Sequence, residues 1–355
     1  MSAHTLSGTC RALYVFDVGR SIDLRRAESS LSELRKTAFQ HKSRVPLGET
    51  TPPSRLGWQT TAVQLGRHAT ESTVEVALYE QGAACITWSI PIEAPLEELA
   101  ELSAQLYDHD ELIRQSRAVA EAVIHAIEGA VERPGSSGMV EDYVVFQVQP
   151  VRDAPDFLDQ RRAELAQLLR AEQHLLARQE VDDATANPVS YEVDELCLVD
   201  WLAAFLMGAD TDDERMLLEY ATVELVLLRM LDERLDEGIE QAYDLLSKPR
   251  GMLRALTGQA RELEQIARMQ ADDALLHEGI DNALKLFGDD YLARLYRTAA
   301  VRFHFASWDR SIQRKLGVLQ SIYQSLADVS AHRRAEGLEW IIIVLIAVEI
   351  FLYLA

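Results

Sequence analysis

At Pro95 the hydrophobic period of the sequence changes, and no other feature narrows the fold of this 355-residue chain as much. Ahead of it lie "WQTTAVQLG", "STVEVALYE" and "AACITWSIPI", runs rich in β-branched and aromatic residues that read as strands. The "EQG" between the last two predicts a hairpin turn. "RALYVFDV" is a further strand near the start, and "LRRAESSLSELRKTAF" after it has helical composition. Beyond Pro95, Leu96, Leu99, Leu102 and Leu106, then Leu112, Val119, Val123 and Ile127, recur at helical spacing and predict an amphipathic helix pair. "DYVVFQVQPV" returns to a strand and "DFLDQRRAELAQLLRAEQ" to a helix. "ELCLVDWLAAFLM" is ambiguous by periodicity, but the Asn-Pro loop ahead of it and "GADTDDE" behind it favour a buried strand at its start.

From Asp212 onward the pattern is helical. Leu217, Ala221, Leu228, Leu231, Leu235 and Ala242 share one face as far as "SKPRG". A second helix covers "LRALTGQARELEQIARMQADDALLHEGIDNALKLF", and a third segment runs on from about Asp289. Within it Ile312, Leu316, Leu319, Tyr323 and Leu326 alternate by four and three, a short seam that suits a bundle as well as a dimer zipper. The expected fold class is α+β: a mixed α/β domain over 1–210, then a helical bundle or stalk with this coiled-coil seam over 211–337, then a closing segment over 338–355.

That closing segment is apolar for eighteen residues, about 27 Å of helix against a hydrocarbon core of about 30 Å. Its Leu, Ile, Val and Phe residues, among them Leu338, Ile341, Ile342, Ile343, Val344, Leu345, Ile346 and Phe351, sum to roughly −4 to −7 kcal/mol for insertion. Glu349 opposes them by about 3 kcal/mol at most. Trp340 and Tyr353 stand near its two ends, where interfacial aromatics belong, and Arg333 and Arg334 precede it. The expectation is a C-terminal transmembrane helix that holds residues 1–337 on the cytosolic side of a membrane as a single-pass, tail-anchored protein. Glu349 shares a stripe with Ile342, Leu345, Ile346 and Leu352, which suits pairing with a second helix.

Charge sharpens the picture of partners. The net charge is −22, yet Arg294 to Gly337 carries eight Lys or Arg against Asp309, Asp328 and Glu336. An acidic body on a basic stalk argues against direct nucleic-acid binding, which needs a basic face. Cys10, Cys85 and Cys197 are odd in number and widely spaced, so they read as reduced, buried thiols. No phosphate-binding glycine loop, zinc-binding helix or nucleophile elbow occurs. "DHDE" at Asp108–Glu111 is the best local metal candidate, but neighbouring helical residues point apart, and a solvated turn fits it better. Asp200, beside Trp201 in an apolar run, reads as a buried structural carboxylate before it reads as a general base.

"YEVDELCLVDWLAAFL", "ELVLLRMLDERLDEGIEQAYDLL" and "EGLEWIIIVLIAVEI" resemble, in that order, motifs of the family of the "required for meiotic nuclear division" protein 1 homologue, over roughly residues 190–355. The resemblance implies a non-enzymatic protein without cofactor or metal, here a bacterial member in the inner membrane; mitochondrial members support translation at that membrane by tethering ribosomes. The matching positions Asp200, Trp201, Arg229, Asp232, Glu339 and Trp340 would then be structural. The expected function is a non-catalytic membrane scaffold with the lipid bilayer and an unidentified protein as partners, and self-association through the C-terminal helices. The alternative is an enzyme or small-ligand sensor with its pocket in the N-terminal domain.

Overall fold

Thirteen residues, Thr5–Asp17, form β1, the strand from which the N-terminal sheet grows in the computed structural model of the chain. The structure describes residues 5–32, 52–135, 138–247 and 290–354; the side chains of 32, 245–247, 326–341, 344 and 347–354 lie outside it. β1 pairs antiparallel with β4 (Ala83–Pro95) on one side and with β5 (Val140–Val148) on the other. Outward from β4 come β3 (Thr73–Tyr79) and β2 (Ser54–Gln59). Outward from β5 come β7 (Ala203–Met207) and β6 (Leu196–Val199). The β5–β7 pair is parallel, so the chain needs a crossover there, and α4 (Ala154–Arg170) and α5 (Arg178–Ala184) supply it.

Both faces of this sheet are covered, which is why β1 and β4 are apolar along most of their length rather than alternating. One face buries Cys10, Ala12, Tyr14, Phe16, Ile86, Trp88 and Ile90 in the main core, with α2 (Leu96–Leu106), α3 (Asp110–Ala126) and α4 adding Leu99, Leu102, Val123 and Leu168. The Trp88 indole N–H donates to Ser116 Oγ of α3 at 2.8 Å, so the largest core side chain leaves no orphaned donor. α1 (Leu24–Ser32) packs Ala27 and Leu31 at the edge of the same core. Gly82 makes the β3–β4 turn: its φ is +85°, and a Cβ there would meet the Gly19 carbonyl oxygen at 2.1 Å.

"ELCLVDWLAAFLM" has the expected buried strand at its start, β6, and a second strand, β7, after it. β6 and β7 form an antiparallel hairpin whose turn is Asp200, Trp201 and Leu202. Their shortness and burial on both faces hid the alternation that would have separated them.

Packing divides the chain into two compact units, Met1–Met230 with Gly279–Ala306, and Leu231–Glu278 with Ser307–Ala355. The first holds the sheet, α1 to α5, the start of α6 (Asp212–Ser247) and α7 (Asp290–Arg302). In the second, the rest of α6 lies beside α8 (Phe305–Leu354). The Ser311 hydroxyl donates to Asp232 at 2.8 Å, and Lys315 pairs with Asp232 at 2.9 Å and Asp236 at 2.6 Å. The Ser311–Asp232 and Lys315–Asp236 contacts share one sequence offset, so the two helices run parallel there. Of the seam, Ile312 and Leu319 are buried and Leu316 and Tyr323 half-buried, with Ile322 buried besides. The Leu326 side chain and the whole of 253–287 lie outside the described residues.

The expectation of a membrane anchor is corrected. Among the described residues no helix is long and apolar enough to cross a membrane, so the C-terminal transmembrane helix, the single-pass topology and the inner-membrane location do not stand. Residues 338–354 are not a separate element; they end the fifty-residue α8, whose earlier turns carry Asp309, Arg310, Arg314 and Lys315. The insertion sum treated as an independent span what is the last third of one fifty-residue helix with charged earlier turns. Of the proposed anchor residues, Ile342, Ile343, Leu345 and Ile346 are described, and each is half or more exposed. The side chains of Leu338, Glu339, Trp340, Ile341, Val344, Glu349, Phe351 and Tyr353 lie outside the description.

Candidate functional site

Asp200, the best sequence candidate for acid–base chemistry, sits at the β6–β7 turn with its side chain sealed. Arg170 Nε of α4 lies 2.5 Å from its Oδ2, Arg302 of α7 is 3.6 Å from Oδ1, and the Trp201 backbone N–H donates to Oδ1 at 3.0 Å. Burial pushes the Asp200 carboxyl above the usual carboxylate range, and the two guanidiniums offset this only in part. Both arginines have second partners: Arg170 reaches Glu180 and Asp183, and Arg302 reaches Asp183. The Tyr143 hydroxyl donates to the Asp200 carbonyl at 2.9 Å, closing the turn from the sheet side. Trp201 points away and is 53% exposed. Asp200 therefore pins α4, α5 and α7 to the hairpin.

The other sequence candidates are each engaged locally. Arg229 is ion-paired with Glu141 at the start of β5. Asp232 holds Ser311 and Lys315, as described above. His109 is the N-cap of α3, its Nδ1 accepting from the Leu112 backbone N–H at 3.4 Å. "DHDE" is thus a capped helix start, and among the described residues no group of three or more His, Cys, Asp or Glu could hold a metal ion. Cys10, Cys85 and Cys197 are free and buried, and burial raises all three thiols, Cys197 to about 12, so none is poised as a thiolate nucleophile.

Sequence reasoning missed the second face of the sheet, which is polar at its centre. Arg55 on β2, Glu75 and Tyr79 on β3 and Arg11 on β1 point to this side, where α6 lays Arg215 and Glu219 across them. Glu219 is fully buried; Arg55 Nη2 approaches it at 2.9 Å, Arg215 Nη1 at 3.0 Å, and the Tyr79 hydroxyl donates to it at 2.5 Å. Arg55 also pairs with Glu75. Burial opposes ionisation of Glu219, but the Arg55 and Arg215 charges outweigh it and hold its carboxyl below the ordinary range. Arg11 donates to Ser89 Oγ and to Gln147 Oε1, and Gln147 donates onward to Thr211 Oγ1 at 3.1 Å. The signal was present only as lone charges inside apolar runs.

Two recesses open on the first unit. One, about 310 Å³, is lined by Gly66, His68, Glu97, Glu98, Glu101 and Gln105 among others, with His68 Nε2 3.4 Å from Glu98. The other, about 410 Å³, is lined by Tyr191, Asp290, Tyr291, Arg294 and Arg297. Tyr291 anchors its floor: the hydroxyl lies 3.3 Å from the Cys197 sulfur, and the ring meets Tyr191 edge-on at 5.6 Å.

A family model described as "Uncharacterized protein MJ0711, N-terminal domain" matches residues 7–214, the stretch from β1 to the first residues of α6. A protein of Methanocaldococcus jannaschii described as "Uncharacterized protein MJ0711" is 22% identical over 283 residues, covering 76% of this chain and 86% of that protein. No solved structure matches. Neither match links the chain to the meiotic-division family that its C-terminal motifs resemble.

Proposed function

Since the chain belongs to the family of that N-terminal domain, we propose that it is a non-catalytic scaffold protein that pairs with a second copy of itself through the end of helix α8. The observation that carries the proposal is the group Ile342, Ile343, Leu345 and Ile346, four large aliphatic side chains each half or more exposed on adjacent turns. A contiguous apolar patch of this kind marks an interaction surface. Ile342, Leu345 and Ile346 stand at i, i+3 and i+4, one face of the helix, and a second α8 offers the same face in return.

The helix offset supports a second copy rather than this chain's own α6 as the cover. Carried forward from Ser311 and Lys315, it sets Ser247, the last described residue of α6, level with Leu326. Ile342 lies sixteen residues further along α8, about 24 Å. The non-catalytic half of the reading is supported by Asp200, whose carboxylate is held by Arg170 and Arg302, and by His109, whose Nδ1 caps α3.

The test is sedimentation velocity of the full chain across a wide concentration range. A concentration-dependent dimer is expected, and Leu345→Asp with Ile346→Asp should return it to monomer with an unchanged far-UV spectrum. A wild-type monomer at every concentration, or a dimer indifferent to the double substitution, overturns the proposal.

A further inference from the structure

The recess between the 187–195 loop and α7 brings three chemistries together. Arg294 and Arg297 are exposed and stand at i, i+3 on α7, so both guanidiniums project on one side of the helix. Among the described residues neither has a carboxylate partner, on a chain whose net charge is −22. Two such guanidiniums converging on one recess are suited to a phosphate, which they can grip with paired N–H donors. Tyr191 is 72% exposed. It is steadied by edge contact with Tyr291, whose own ring is buried and whose hydroxyl is tied to Cys197. One face of the Tyr191 ring is therefore held in place for a flat ligand ring to stack on. Asp290 lines the same recess and supplies acceptors for hydroxyl groups.

From this juxtaposition we infer that the recess formed by Tyr191, Tyr291, Asp290, Arg294 and Arg297 binds a nucleoside monophosphate, with the phosphate on the arginines, a sugar hydroxyl on Asp290 and the base against Tyr191. The volume of about 410 Å³ lies within the range of small-ligand sites. This site is separate from the aliphatic group of α8 and stands or falls without it.

Isothermal titration of the full-length protein with AMP, UMP and inorganic phosphate tests the inference. Both nucleotides should bind at one site, more weakly as salt rises. Arg294→Ala and Arg297→Ala should each weaken binding about tenfold, the loss expected for one charge-assisted contact. Tyr191→Leu should weaken the nucleotides but leave inorganic phosphate unaffected. All three side chains are solvent-facing, so unchanged thermal melts will establish that the variants fold. Absence of nucleotide binding in the millimolar range overturns the inference, as does binding that survives both arginine substitutions. Inorganic phosphate binding as tightly as AMP would overturn the stacking role of Tyr191 and leave a simple anion site.

Discussion

Replacing Glu219 with Ala should destabilise the first unit more than any surface substitution could. The carboxylate is fully buried between Arg55 and Arg215 and also accepts from Tyr79. Without it Arg55 retains Glu75, but among the described residues Arg215 keeps only Asp212, 3.9 Å away and far more exposed. A guanidinium stranded in this way costs roughly 3–5 kcal/mol, the loss typical of breaking one side of a buried ion pair. For a unit of this size that corresponds to a fall in Tm of roughly 6–20 °C. The effect has a pH signature. Because the folded Glu219 carboxyl is held below its unfolded value of about 4.3, its contribution is complete above that value and is lost as pH falls through the lower folded one. The gap between wild type and Glu219→Ala, read from urea denaturation, should therefore be widest near pH 7 and close in acid. A loss under about 1 kcal/mol at pH 7, or a gap that does not narrow in acid, refutes the reasoning. A triple replacement of Arg55, Arg215 and Glu219 by Met should recover most of the loss, since buried ion networks exchange for apolar packing at little net cost.

Asp200→Asn should behave in the opposite sense. Its folded carboxyl is raised, so the wild-type contribution is complete below the unfolded value of about 3.9 and is lost as pH rises through the folded one. Asp183 and Glu180 still serve Arg170 and Arg302, so the variant should match or exceed wild-type stability in urea at pH 7, and a marked loss there would show the charge to be needed. Gly82→Ala should cost at least about 1–2 kcal/mol, from its left-handed backbone and its approach to the Gly19 carbonyl, measured as a lower urea midpoint with unchanged slope.

How much of this was legible in the sequence depends on the range of the information. α2 and α3 follow from periodicity because their burial is one-sided, and β3 and β4 from β-branched and aromatic content with local turn chemistry at Gly82. The two-strand nature of 196–207 was not readable, since both strands are buried on both faces. The polar face was invisible for another reason: Arg55 and Glu219 are 164 residues apart, and each alone looks like a surface charge. Tyr191 and Arg294 are likewise far apart in the chain, and the fold joins them in one recess. At the C-terminus a local count of apolar residues was read without the long helix that carries them.

The two faces of the sheet consequently specify the fold in different ways. On the first, Tyr14, Trp88 and their neighbours are covered chiefly by apolar surface of suitable shape, with the Trp88–Ser116 hydrogen bond the polar link to α3. On the second, the position of α6 is fixed by charge. Sliding α6 by about one turn would bring either Arg215 or Val223 to the place of Glu219. The first puts a third positive charge against Arg55 and Arg11; the second leaves Arg55 and the Tyr79 hydroxyl facing a methyl group. Both alternatives bury unpaired polar groups and are excluded by several kcal/mol. Burial and the nearby Arg215 charge already hold the Arg11 guanidinium below its usual value, so this face has little room for a further cation. The buried charges thus add little to stability in net and much to register.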